Sequence, residues 1–165
     1  GGDAENPSRL VAKALEGITA QGVRVRSLEL PVETETAFRP VESHLRSVRP
    51  RAYLAFGLAG GITAMRIERL GVNLRDFRIA DEAGQAASDA PVVPGAPMAY
   101  PATVDVRALE ETLRLAGIPN ELSLSAGSFL CNELLYRALH LTASEGIPTR
   151  VGFIHLPYLS EQVAG

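Results

Sequence analysis

Cys131, His155 and Glu68 are the residues whose types and positions could carry nucleophilic chemistry. Cys131 follows Ser125-Ala126-Gly127-Ser128 and falls in the first turn of an apolar helix expected over 129–141. Unpaired backbone N–H groups and the positive end of the helix dipole favour a thiolate there. Leu130, beside it, brings its backbone N–H to the same helix start and is a candidate for contact with a substrate oxygen. His155 lies near the carboxyl end of an apolar strand, Val151–Leu156, that Pro157 closes. Sites of open α/β sheets gather at such strand ends. Glu68 lies in Ile67-Glu68-Arg69-Leu70-Gly71-Val72, where a period of two puts it on one face with Leu70 and Val72. An inward carboxylate is costly without a partner. Together the three fit a thiolate, a proton-shuttling imidazole and an orienting acid, drawn from elements 63 and 24 residues apart. Each also has a plainer reading: a small buried hydrophobe for Cys131, a core histidine bonded to a carbonyl for His155, an ion pair with Arg66 or Arg69 for Glu68. His44 sits in a polar stretch and reads as solvated, and His140 reads as a cation near a helix end.

The elements that must position these residues alternate in type. Helices are expected from Asn6-Pro7 to Gly17, over Pro40–Val48 with Val41, Leu45 and Val48 inward, over Val106–Ala116, and over Phe129–Leu141. Strands are expected at Val23–Leu30, Ala52–Phe56, Phe77–Ala80, Leu122–Leu124 and Val151–Leu156, with Ile62–Leu74 extended. Gly57–Gly61 reads as a glycine-rich turn, and 81–103, with four prolines, as a long ordered loop. The alternation predicts an α/β fold: a three-layer α/β/α sandwich around a mostly parallel twisted sheet.

Composition narrows the function classes. The 165 residues are 46% hydrophobic and 21% charged, which fits one domain with a real core and excludes a disordered or fibrous chain. A net charge of −3 with scattered arginines gives no patch for nucleic acid. No apolar run reaches the ~20 residues of a membrane helix. A single cysteine makes no internal disulfide, so a reducing cytoplasm is the expected location. No HExxH, CxxC, P-loop, GxGxxG or G-x-S-x-G pattern occurs, so no metal or cofactor is expected.

Five ordered blocks resemble the pyrrolidone carboxyl peptidase (pyroglutamyl peptidase I) family. Gly1-Gly2 with Asn6-Pro7-Ser8 is similar to the end of its opening segment. Phe56-Gly57-Leu58-Ala59-Gly60-Gly61 with Ile67-Glu68-Arg69 and Val72-Asn73 resembles its glutamate signature. Pro94-Gly95-Ala96-Pro97 with Ala99-Tyr100 resembles its GP-x-AY loop. Ser125 to Asn132 with Tyr136 resembles its cysteine signature, and Gly152 to Tyr158 with Glu161-Gln162 its histidine segment. The resemblance implies Cys131 as nucleophile, His155 as general base and Glu68 as orienting acid. It implies N-terminal pyroglutamyl peptides as substrates, a homo-oligomer, and one peptidase domain over 1–165 that lacks the family's first strand and C-terminal helix. Arg78 matches an arginine near the family's site. Two departures stand out: Ile62 where an arginine is usual, and Ala80-Asp81-Glu82-Ala83-Gly84 in place of PDNxG. The other reading is a non-catalytic binding or structural member of the same fold.

Overall fold

A first helix begins where Asn6 caps it, its side-chain oxygen accepting from the Ser8 N–H at 3.0 Å, with Pro7 at the position whose missing N–H costs nothing. The computed structural model describes residues 6–159. In chain order its elements are α1 (Pro7–Leu15), β1 (Thr19–Ala20), β2 (Val23–Arg24), α2 (Phe38–Ser47), β3 (Ala52–Leu58), β4 (Met65–Glu68), β5 (Leu70–Val72), β6 (Ala99–Pro101), α3 (Val106–Leu115), β7 (Asn120–Ser123), α4 (Leu130–Ser144) and β8 (Arg150–Leu156).

The central sheet runs β3-β8-β4-β7. β3 and β8 are parallel, as are β4 and β7, and the two pairs meet in an antiparallel seam between β4 and β8. β8 is thus an interior strand, buried from Val151 to Leu156, as its unbroken apolar run predicts. Val151 and Phe153 point to one face, where they join Ala55 of β3 in a core with Val41 and Leu45 of α2 and Leu135 and Leu139 of α4. The other face of β8 meets Val104, just before α3, so closely that a Cβ on Gly152 would lie 2.5 Å from its Cγ2. α3 lies along β4 and β7, and α1 along β3. The expected α/β fold with a mostly parallel sheet is what forms. No helix among the described residues is long and apolar enough to cross a membrane.

Four expectations about the elements are corrected. The Val23–Leu30 strand shrinks to a two-residue hairpin, β1 with β2, turned at Gln21 (φ 50°) and Gly22 (φ 75°). Two positive φ angles in succession match the right-handed twist of a tight hairpin, and pairing runs no further than Val25, which bonds Ile18 (2.8 Å) and Gly17 (3.1 Å). The Ile62–Leu74 stretch is not one strand. At Arg69 the N–H still bonds Ser123 of β7 (2.8 Å), but the carbonyl accepts from Ala102 (2.8 Å), and β5 swings away to pair with β6. Glu68 therefore does not share a sheet face with Leu70 and Val72. Phe77–Ala80 is no strand: Phe77 bonds Ala87, and the Asp81 carboxylate then gathers the N–H groups of Thr34, Ala83 and Gln85 at 2.7–3.0 Å. Those bonds hold the Asp81 carboxyl below the usual carboxylate range, the one from Thr34 most. Lastly, Val48 faces out at 64% exposure, because α2 ends at Ser47 and the chain turns through Arg49 (φ 49°) into β3.

Candidate active site

On β8 the side chains of Val151, Phe153 and His155 alternate onto the face that α4 covers. Parallel pairing sets Gly57 of β3 beside His155, and antiparallel pairing sets Glu68 of β4 opposite Phe153. Glu68 and His155 are diagonal neighbours across the seam, a separation that long side chains can span. They do: His155 Nδ1 donates to Glu68 Oε1 at 2.8 Å, with Glu68 wholly buried and His155 nearly so. An ionised carboxylate only accepts, so the proton of this bond sits on Nδ1 and leaves Nε2 for the other partner. The Cys131 thiol is close enough to act on the imidazole electrostatically. Cys131 is half-buried, and its sulfur lies over the backbone of Gly57.

The imidazole is tuned by opposed effects. Burial alone pulls the His155 pKa down, but the hydrogen bonds from Cys131 and Glu68, reinforced by their charges, raise it from 6.5 to about 9.

Several contacts hold α4 where its start meets the strands. Its cap, Phe129, is extended, and Gly127 reaches φ 82°, a conformation glycine adopts without strain. Ser128 and Asp76 exchange two bonds, Oγ to the Asp76 carbonyl at 2.6 Å and the Asp76 N–H to the Ser128 carbonyl at 3.1 Å. The Phe77 and Phe129 rings pack edge to face at 4.8 Å. The first intrahelical bond of the turn is Glu133 N–H to Phe129, so the N–H groups of Leu130, Cys131 and Asn132 have no acceptor within the helix.

Of the residues expected from sequence, Glu68, Cys131 and His155 come together in one line, with a hydrogen bond between Glu68 and His155, and Leu130 brings its N–H to the same helix start. Arg78 does not join that line. It is exposed, one residue past Phe77. His140 does not cap a helix end, since α4 continues to Ser144; its Nδ1 meets the Tyr100 hydroxyl at 3.0 Å and its ring stacks on Tyr136. His44 is exposed as expected, its Nδ1 bonded to the Pro40 carbonyl. Two shallow hollows, about 230 Å³ beside His140 and Glu145 and about 340 Å³ beside Tyr100 and Ile147, open away from the line.

The pyroglutamyl peptidase family model matches residues 1–165. The chain belongs to the pyroglutamyl peptidase family. It is 41% identical over 163 residues to the pyrrolidone-carboxylate peptidase of Pyrococcus furiosus, covering 99% of this chain and 78% of that one. The Chromobacterium violaceum enzyme of the same name is 42% identical over 162 residues, covering 98% and 75%. The crystal structure of Pyrococcus furiosus pyrrolidone carboxyl peptidase superposes with a TM-score of 0.93 at 40% identity, covering 99% of this chain and 79% of that one. Gly1-Gly2 and Glu161-Gln162, two of the segments that resemble the family, lie outside the described residues.

Two residues central to the site's architecture carry no catalytic signature of their own. Asn132 is fully buried, and its amide clasps β5, accepting from the Val72 N–H (2.9 Å) and donating to the carbonyls of Val72 (2.9 Å) and Leu74 (3.1 Å). Glu133 is buried too, with Arg75 Nη2 at 2.6 Å and Arg137 Nε in an ion-pair contact at 2.8 Å. Two polar residues directly after Cys131, in an otherwise apolar helix, are the signal that points to them.

Proposed function

We propose that this chain is a cysteine exopeptidase that hydrolyses the amide bond after an N-terminal pyroglutamyl residue, with Cys131, His155 and Glu68 as its catalytic line. The observation that carries the reading is the buried His155–Glu68 hydrogen bond with the Cys131 sulfur beside it at the start of α4, in a chain whose relatives are pyrrolidone-carboxylate peptidases. His155 Nε2 takes the thiol proton, and Cys131 Sγ attacks the carbonyl that joins the lactam to the next residue. Glu68 keeps the proton on Nδ1 and balances the imidazolium charge. The oxyanion faces the N–H groups of Leu130 and Cys131, which the helix leaves without acceptors. Imidazolium then protonates the departing amine, freeing the shortened peptide and leaving pyroglutamate as a thioester on Sγ. Water, deprotonated by Nε2, attacks that thioester, releasing pyroglutamate and returning the proton to sulfur.

The substrate ring is flat and apolar with one N–H and one C=O. Phe129 and Phe77 give the helix start an apolar wall suited to such a ring. Polar partners matched to the lactam would reject proline, which lacks the ring carbonyl and would leave them unpaired. Arg78, one residue from that wall, is assigned a subsidiary role in polarising the carbonyl.

The test is release of pyroglutamate from a chromogenic pyroglutamyl amide, with the prolyl amide as comparison. Turnover of the first and not the second is expected, with iodoacetamide inactivating through Cys131 alone. A Cys131→Ala chain that keeps full activity would refute the mechanism. Arg78→Ala should retain activity but lose part of kcat, and an unchanged kcat would remove Arg78 from it.

A further inference from the structure

We infer that Gly57 is a positioning residue for the nucleophile: its missing side chain is the space that the Cys131 sulfur occupies when it meets His155. The inference rests on the catalytic reading above and concerns the β3 strand, which that reading leaves without a part. A Cβ on Gly57 would lie 3.0 Å from Cys131 Sγ and 2.9 and 3.2 Å from Cζ and Cε1 of Phe153. Ordinary non-bonded contact begins at ~3.5–4.0 Å, so neither group can stay where it is.

The backbone does not demand glycine here. Gly61, Gly95 and Gly127 have φ angles of 75–82°, where any other residue is strained; Gly57 lies in regular β3 and is not among the positive-φ residues. Space alone excludes a side chain. Nor can the strand yield easily. Phe56, Gly57 and Leu58 are registered on Ile154, His155 and Leu156, and the Ala59 N–H bonds the Leu156 carbonyl at 3.0 Å. The groups that must move are the sulfur and the Phe153 ring. That ring lies 4.8 Å from the imidazole, so pushing it also disturbs His155. Restoring normal contact moves Sγ by a few tenths of an ångström, away from the imidazole. A misplacement of about 1 Å costs roughly 10²-fold in rate, so a shift of this size costs a smaller factor.

The experiment is a double-mutant cycle in the full chain: Gly57→Ala, Cys131→Ala and the two combined, read by unfolding midpoint, amide turnover and the pH dependence of iodoacetamide alkylation. Gly57→Ala should lower kcat by up to roughly 10-fold with KM nearly unchanged. The pH dependence of its alkylation should follow the His155 titration less closely than the parent's. Removing the sulfur removes one of the two clashes, so Gly57→Ala should cost less stability in the Cys131→Ala background than in the parent. That coupling is readable even if the single variant folds poorly. Additive stability effects, or Gly57→Ala with parental kcat and alkylation, would overturn the proposal and leave the catalytic reading intact. Turnover by Cys131→Ala would instead overturn that reading, and this inference with it.

Discussion

Replacing Glu68 by glutamine tests how much the site owes to one buried charge. The substitution keeps the shape and removes the negative end of a 2.8 Å bond to His155 Nδ1. A buried hydrogen bond to a charged group contributes roughly 1.5–3 kcal/mol, and at about 1.4 kcal/mol per decade its loss lowers kcat roughly 10–10²-fold. A second effect adds to the first. Glu68 Oε2 is buried without a hydrogen-bond partner among the described residues, so one orientation of the new amide leaves its NH₂ with no acceptor. Turning the amide over would aim the NH₂ at Nδ1 and put the ring proton on Nε2, the tautomer that cannot take the thiol proton. Removing the carboxylate also takes away one of the interactions that raise the His155 pKa to about 9, so the imidazolium is lost at lower pH. The assay is hydrolysis of a chromogenic pyroglutamyl amide from about pH 5 to 10. We expect a lower kcat, little change in KM, and an alkaline limb moved toward neutrality. A Glu68→Gln chain within threefold of the parent, with its alkaline limb unmoved, would refute the role given to the charge.

Asn132→Ala removes three buried bonds between α4 and β5 and should cost roughly 2–4 kcal/mol in urea unfolding. Glu133→Gln leaves Arg75 and Arg137 without their anion. The expected loss is about 2–3 kcal/mol by the same measurement, below the ~3–5 kcal/mol of a wholly buried pair because the two arginines keep 19% and 29% of their side-chain surface exposed. Stability should also depend on pH through His155. Its folded pKa, about 9, lies above the ordinary 6.5, so its contribution is complete below about pH 6.5 and disappears as pH rises through about 9. The stability difference between the parent and His155→Asn, up to about 3 kcal/mol, should shrink across that interval.

Local chemistry made much of this legible in the sequence. Asn6-Pro7 announced α1 through a cap and a residue that needs no donor, and the apolar run at 151–156 announced a strand buried on both faces. Cys131 could be set in a first helical turn because small residues precede an apolar helix. Glu68 is buried because β4 lies between β8 and β7, not because it shares a face with Leu70 and Val72, and spacing alone did not choose between His155 and a nearby arginine as its partner. The alternatives, Arg66 and Arg69, are near in sequence, whereas His155 reaches Glu68 only through the pairing of β4 with β8. Arg66 instead pairs with Glu121 on β7 at 2.6 Å. Gly57 reads as part of a turn because glycines follow it, yet it lies inside β3, and what demands it is a sulfur 74 residues away. The break at Arg69 and the exposure of Val48 were hidden for a related reason. Periodicity says which face a residue takes while an element lasts, not where a neighbouring strand captures the chain and ends it.

The antiparallel seam gives the site an unequal tolerance to insertions and deletions. Glu68 and His155 lie on strands running in opposite directions, held by the register Arg66↔His155, Ile67↔Ile154 and Glu68↔Phe153. One residue gained or lost in β4 turns its side chains to the opposite face, carrying the carboxylate away from the imidazole and a hydrophobe into its place. Past Phe77, whose ring packs on Phe129, the chain up to Val93 is under no such constraint. The Asn73 side chain accepts from the Val93 N–H and donates to the Val93 carbonyl, both at 2.9 Å, and so ties the two ends of that excursion together from outside it. Changes of length are therefore expected to accumulate within this excursion, beyond the latch, while β4 keeps a constant number of residues.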